Sequence, residues 1–219
     1  MLAACSGALC QSQSAPQTAP MQDAKSAREA KGTGIPARTA STEYQAQAKA
    51  GAVTIAADFT GHSVATPDAV FSTEDFVAAE VAFYGAPGSH LAISFQDFSL
   101  RINGKKTLIP ATGDQFVFHS LKDPSWEPPT PPEGKSKSGG LSTGGGGAND
   151  PPPVAPKMPI GVERAMEQRV EKAALPQGDR PLPVGGLIFF QYGGRIKGIK
   201  SIELIYTGAA GKASLALQP

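Results

Sequence analysis

Leu91, Ile93 and Phe95 alternate with Ala92 and Ser94, and after Gln96 and Asp97 the alternation resumes at Phe98, Leu100 and Ile102. A period of two turns one face of an extended chain toward a core and the other toward water, so this stretch reads as two half-buried strands meeting at a kink. Asn103-Gly104 closes the run; both residues tolerate positive φ, and the pair predicts a hairpin that folds Lys105–Ile109 back beside Phe98–Ile102. Val53–Phe59, Gly186–Tyr192, Ser201–Thr207 and Lys212–Leu217 repeat the extended pattern. Glu74–Tyr84 is apolar on both faces and ends in Gly85-Ala86-Pro87-Gly88, as a central strand before a turn does. Weaker extended pieces fall at Val64, at Val70-Phe71 and at Gln115–Phe118. About eight short strands with turn residues between them are the pattern of an all-β, antiparallel sandwich.

Two stretches read as helix. Ser41 or Thr42 can cap a short alanine-rich helix that Gly51 stops. Between Pro159 and Pro176, Val162, Ala165-Met166, Val170 and Ala173-Ala174 recur at helical spacing, which predicts an amphipathic helix over residues 160–175 lying on the sandwich or capping one end of it.

Composition changes this picture only locally. Gly (25) and Pro (20) are concentrated in Asp123–Pro183, where DPSWEPPTPPEG, KSKSGG and GGGG follow one another. Such a stretch reads as a flexible insertion, residues 123–183, inside a sandwich domain spanning residues 42–219. Residues 15–41 are mostly Gln, Ser, Ala, Pro and Lys without periodicity and read as a disordered tether. Residues 1–14 look like the back end of a secretory signal with its basic start missing. A simple signal-peptidase cut after Cys10 or Ser14 is the plainer reading; Leu2-Ala3-Ala4-Cys5 also resembles a bacterial lipobox, in which Cys5 would be acylated. The cysteines are Cys5 and Cys10 alone, so the domain carries no disulfide, thiolate nucleophile or Cys-ligated zinc. A formal net charge of +1 supplies no global field toward nucleic acid or an anionic membrane. No apolar run is long enough to span a bilayer.

The order of phrases is itself suggestive: Glu80-Val81-Ala82-Phe83-Tyr84, then Ile93-Ser94 to Asp97-Phe98-Ser99-Leu100 with Asn103-Gly104, a long excursion, Gly186-Leu187-Ile188-Phe189-Phe190, then Ile202-Glu203-Leu204-Ile205-Tyr206. Over about half the chain it resembles the telokin-like, immunoglobulin-like extracytoplasmic domains of bacterial exported proteins and lipoproteins. The resemblance implies an immunoglobulin-like antiparallel β-sandwich used for binding or structure, with no catalytic residues to carry over. The insertion at Asp123–Pro183 departs from that pattern and puts any shared ligand site in doubt.

Candidate chemistry is sparse. His62, His90 and His119 lack flanking Asp, Glu or Cys at ligand spacing. Gly140-Leu141-Ser142-Thr143-Gly144 matches G-x-S-x-G in letters, but glycines stand where a nucleophile elbow needs a strand and a helix. Gly144–Gly147 lacks the Lys-Ser/Thr of a phosphate cradle. Trp126, in Asp-Pro-Ser-Trp-Glu-Pro-Pro, either anchors the proline-rich loop or presents a partner contact in polyproline form. Arg195, Lys197 and Lys200 make a basic face with Lys105 and Lys106 if their two loops share an end of the sandwich. These features predict a non-enzymatic, extracytoplasmic module with no catalytic residue, metal or cofactor, binding a protein or polymer of the cell envelope. A small-molecule or metal carrier and a secreted enzyme are the alternatives.

Overall fold

The computed structural model describes residues 32–124, 126 and 158–219, and in it the period-two stretches are strands. In chain order these are β1 Ala46–Ala50, β2 Val53–Gly61, β3 Ser63–Ala65, β4 Val70–Thr73, β5 Phe76–Tyr84, β6 His90–Ile93, β7 Phe98–Ile102, β8 Ile109–Thr112 and β9 Leu121–Lys122. Helix α1, Ile160–Ala173, precedes β10 Gly178–Pro181, β11 Val184–Gln191, β12 Ile202–Gly208 and β13 Gly211–Leu217. The fold is predominantly antiparallel β. Eight strands form one sheet in the order β1-β2-β5-β11-β8-β7-β12-β13, while β10-β6 and β3-β4-β9 form two small sheets.

The eight-stranded sheet is nearly closed, because β13 returns to lie beside β1 without pairing to it. Its two halves face each other across one core. Ile55, Val81 and Phe83 from one half meet Phe98, Leu100, Leu204 and Tyr206 from the other. Phe83 packs edge-on against Phe98 at 5.9 Å and against Tyr206 at 5.6 Å between ring centroids. β8 joins the halves by hydrogen bonds, pairing with β7 at Ser99↔Pro110 and Leu100↔Ile109 and with β11 at Phe189↔Thr112 and Phe190↔Ala111.

β5 is a central strand with both faces used. Val77, Ala79, Val81 and Phe83 enter the main core, whereas Phe76 and Ala78 enter a second one on the other side of the sheet. There Leu187 and Phe189 of β11 meet Met166, Val170 and Ala173 of α1, and Val64, Phe71 and Leu121 of the small sheet close the cluster. The helix therefore lies on the sheet, along the stripe its spacing predicts.

Several elements differ from the sequence reading. The predicted helix after Ser41 is a 3-10 turn, Ser41–Glu43, followed by strand β1. Ala46, Ala48 and Ala50 also alternate with Gln47 and Lys49, and pairing with β2 from Ala46↔Ala57 to Ala50↔Val53 satisfies backbone groups that a short isolated helix would leave open. Gly51, at φ 58, makes the tight turn between the two strands. Gln115–Phe118 is no strand: two 3-10 turns, Asp114–Phe116 and Phe118–Ser120, bury Val117 in the second core and leave Phe116 exposed. Asn103 and Gly104 do turn the chain, with Lys105 N–H donating to Ile102 O at 3.2 Å, but the return strand begins only at Ile109.

Both flanking segments reach further into the fold than their composition suggests. Of the expected tether, residues 32–41 lie on the sheet: Ile35 N–H donates to Gly185 O at 3.0 Å and Gly34 N–H to Lys172 O at 2.9 Å. Of the expected insertion, residues 158–183 are built in through α1 and through β10, which pairs with β6 from Gly178↔Ile93 to Pro181↔His90. The signal remnant and the glycine-rich part of the insertion lie outside the described residues.

Candidate functional site

β8 is short, and this leaves a concavity beside β11. Its pairing reaches β11 only at Phe189 and Phe190, so Leu187 and Ile188 have no β8 partner. The segment after α1 takes up part of the gap, where Leu175 N–H donates to Leu187 O at 2.9 Å. Gly186 permits this approach, since a Cβ there would stand 2.5 Å from Leu175 Cα. Gln177 ties the segment to the turn before β7: its Oε1 accepts from Phe95 N–H at 3.0 Å and its Nε2 donates to Leu175 O at 2.8 Å.

Between these elements lies a cleft of about 440 Å³. Buried Ile93, Leu175, Leu187, Ile188 and Phe189 make its floor, and Ser94, Gln96, Thr112, Gln115 and Gln177 its polar edge. Asp114 is the ionisable side chain of this lining. An apolar floor edged mostly by amides and hydroxyls suits an uncharged amphipathic ligand, whose polar groups exchange hydrogen bonds with the edge while its apolar part is removed from water. Nearby, burial pushes the Asp97 carboxyl up from its ordinary value, against a backbone hydrogen bond from Ser94. Burial also pushes the Tyr206 hydroxyl up, and the Asp97 charge adds to the shift.

A second cluster fastens the N-terminal segment to the outer face of β2 and β5. Asp58 and Glu80 are direct cross-strand partners, and Arg38 Nη2 bridges them at 2.6 Å and 3.0 Å. The guanidinium stacks 4.1 Å from the centroid of the Tyr44 ring, and Tyr84 Oη donates to Arg38 O at 2.8 Å. Burial, followed by the bond with Tyr44, pushes the Tyr84 hydroxyl far up. Burial works against the Arg38 charge, but the Asp58 and Glu80 carboxylates outweigh it and the net shift is upward.

The histidines are apart. Both ring nitrogens of His62 meet backbone carbonyls, Phe76 O at 2.7 Å and Gly194 O at 2.9 Å, and its ring stacks on Tyr192. Exposed His90 pairs with Asp179 across β6 and β10, and His119 sits exposed in a 3-10 turn. Among the described residues no group of three or more His, Cys, Asp or Glu could hold a metal ion. Trp126 is half-buried, its backbone N–H donating to Asp123 O at 3.1 Å. Cys5 and the Gly140–Gly144 phrase lie outside the described residues.

The two basic loops do share an end of the sheet. Asn103 joins them: Nδ2 donates to Gly198 O at 3.0 Å, and Oδ1 accepts from Lys200 N–H at 2.6 Å and Ser201 N–H at 3.3 Å. Sequence reasoning reaches this end through the charges of the two loops. It misses the cleft, which depends on where β8 stops pairing.

The chain matches no family model, no curated protein and no solved structure. Among the described residues no helix is long and apolar enough to cross a membrane.

Proposed function

We propose that this chain is a non-enzymatic binding module that works outside the cytoplasm, with the β11 cleft as the seat for part of a protein or polymer of the cell envelope. The observation that carries the reading is the cleft itself: a preformed concavity of about 440 Å³ with an apolar floor, a hydrogen-bonding edge and nearly neutral lining. Its size falls in the usual range for ligand sites, about 300 to 1,000 Å³. The exposed Phe116, next to Gln115 of the edge, extends the apolar surface available to a larger partner. The extracytoplasmic location rests on the small apolar stretch Met1–Leu9, where a signal-peptidase cut after Cys10 or Ser14 would remove Cys5 and a lipobox would instead acylate it. The immunoglobulin-like reading belongs to the same proposal, supported by two antiparallel halves packed face to face across one core.

A second reading, a small-molecule carrier, draws on the same concavity. One titration separates the two. Isotope-labelled protein is titrated with soluble fragments of envelope polymers, with envelope protein extract and with a library of small amphipathic molecules. Amide resonances of Ile93–Gln96, Gly113–Gln115 and Leu175–Gly178 shift with the first two probes, and Gln115→Trp, which fills the edge, abolishes the shifts. Response to small molecules alone moves the assignment to the carrier. Shifts elsewhere, or turnover of the ligand into product, refute the binding module.

A further inference from the structure

We propose that the basic end of the sheet is a docking surface for an anionic lipid bilayer. Lys105 and Lys106 from the β7–β8 loop and Arg195, Lys197 and Lys200 from the β11–β12 loop are all exposed. No acidic residue occurs within either loop, from Asn103 to Leu108 or from Tyr192 to Ser201. The acids around the rim are few. Glu74 is bound to Lys122 at 2.6 Å, and Glu203 to Arg101 at 2.6 Å. Asp75 lies beside Gly193. The overall charge of +1 therefore hides a local field, since the surplus of cations at this end is balanced by acids elsewhere.

Two further features separate this surface from a set of solvated turns. The loops are held to each other by the Asn103 side chain and by Asn103 N–H on Ser201 O at 2.9 Å, so their cations are arranged before any partner arrives. Leu108, 38% exposed, stands in the same loop as Lys105 and Lys106. A soluble polyanion has no use for this exposed apolar side chain. A bilayer surface does, because phosphate headgroups take the cations while Leu108 enters the boundary with the acyl chains. The direction also fits. Asn103 follows the last residue of β7, whereas Ser94–Gln96 of the cleft precede its first, so a molecule resting on its basic end keeps the cleft's edge clear.

The test is vesicle co-sedimentation of the whole chain with phosphatidylcholine alone and with phosphatidylcholine mixed with phosphatidylglycerol. Binding appears only with the anionic lipid and weakens as salt rises. At roughly fivefold per cation, Lys105→Glu with Lys106→Glu, and separately Arg195→Glu with Lys197→Glu and Lys200→Glu, each lower the partition coefficient by more than about tenfold. Leu108→Ser lowers it several-fold with the charges intact. All these side chains are exposed, so an unchanged urea midpoint shows that each variant is folded. Gln115→Trp leaves vesicle binding as it was, so failure of the cleft reading and failure of this one are distinct. Absence of binding to the anionic vesicles overturns the proposal. So does binding that Leu108→Ser does not alter and that soluble polyphosphate fully displaces, since charge alone then accounts for it.

Discussion

Gly161 and Gly186 are both glycines inside regular elements, yet the same substitution should act on them in opposite directions. At Gly186 a Cβ would meet the Leu175 backbone, Cα at 2.5 Å and N at 2.7 Å, and neither strand nor helix terminus can yield without losing the Leu175–Leu187 bond. Gly186→Ala should cost about 1 to 3 kcal/mol, the usual penalty of overpacking. At Gly161, in the first turn of α1, nothing lies within 4 Å, and Gly161→Ala should gain about 0.4 to 1 kcal/mol by narrowing the unfolded ensemble. Urea midpoints of the two variants check both signs. In β7, fully buried Leu100 and half-exposed Arg101 point to opposite faces. Leu100→Ala should cost about 2 to 5 kcal/mol, and Arg101→Ala, which loses an ion pair to Glu203 at 36% exposure on each side, about 1 or less. Asp97 makes a pH prediction. Burial raises its carboxyl above the ordinary 3.8, so the folded chain holds the proton more tightly than the unfolded one. Its stabilising contribution is complete below that ordinary value and is lost as pH rises through the raised folded value. Asp97→Asn removes this loss, so its urea midpoint should gain on the wild type as pH rises from the ordinary carboxylate value through the raised one, and hold that gain above it.

At the scale of elements, what was legible in the sequence is what period alone decides. β6, β7 and β12 follow their alternation, β5 follows from apolar residues on both faces before a turn, and α1 follows its 3.6-residue spacing with Met166, Val170 and Ala173 buried. Ambiguity arose where period and composition disagree. Gln45–Ala50 carries both alanine content and alternation, and only the partner strand β2 decides between them. Around Val117 a short apolar run is compatible with a strand, but Val117 and its neighbour Phe118 both pack against the second core while Phe116 stays exposed, which 3-10 turns allow and period two does not. The basic end was legible because charge is written in the loops and Asn103-Gly104 locates their turn. The cleft was not, because it arises from the point at which β8 leaves β11, a property of the assembled sheet. The helix also offers a test of the second core. Met166 is 4% exposed against the sheet, and Met166→Ala should cost about 2 to 5 kcal/mol in the urea midpoint. A silent substitution would mean that α1 is held by its ends alone.

The described residues are layered: a nearly closed sheet around one core, a helix and a small sheet over the outer faces of β5 and β11, and the segment 32–41 laid beside them. That segment has little apolar surface of its own, so polar contacts hold it. Their centre is Arg38, which neutralises two carboxylates that the register of β2 and β5 places directly opposite each other. Like charges in that position repel across the strands, so the sheet needs the guanidinium as much as the segment needs the sheet. The side chains are partly buried, Arg38 at 32% exposure, Asp58 at 18% and Glu80 at 16%, which places the pair between an exposed salt bridge and a buried one. Arg38→Ala should therefore cost about 1 to 3 kcal/mol, more than the surface value and less than that of a fully buried pair. If the cost comes from stranded carboxylates, Asp58→Asn with Glu80→Gln should recover most of it in the Arg38→Ala background, while the same two changes alone destabilise the wild type. Limited proteolysis supplies the spatial half of the test. Arg38→Ala should expose residues 32–41 to cleavage, and the triple variant should stay open there although its midpoint has recovered, because the carboxylates no longer repel but the segment has lost its anchor. A midpoint that does not recover would mean that Arg38 acts through its stacking on Tyr44 and its Nη1 bond to Glu43 O rather than through charge.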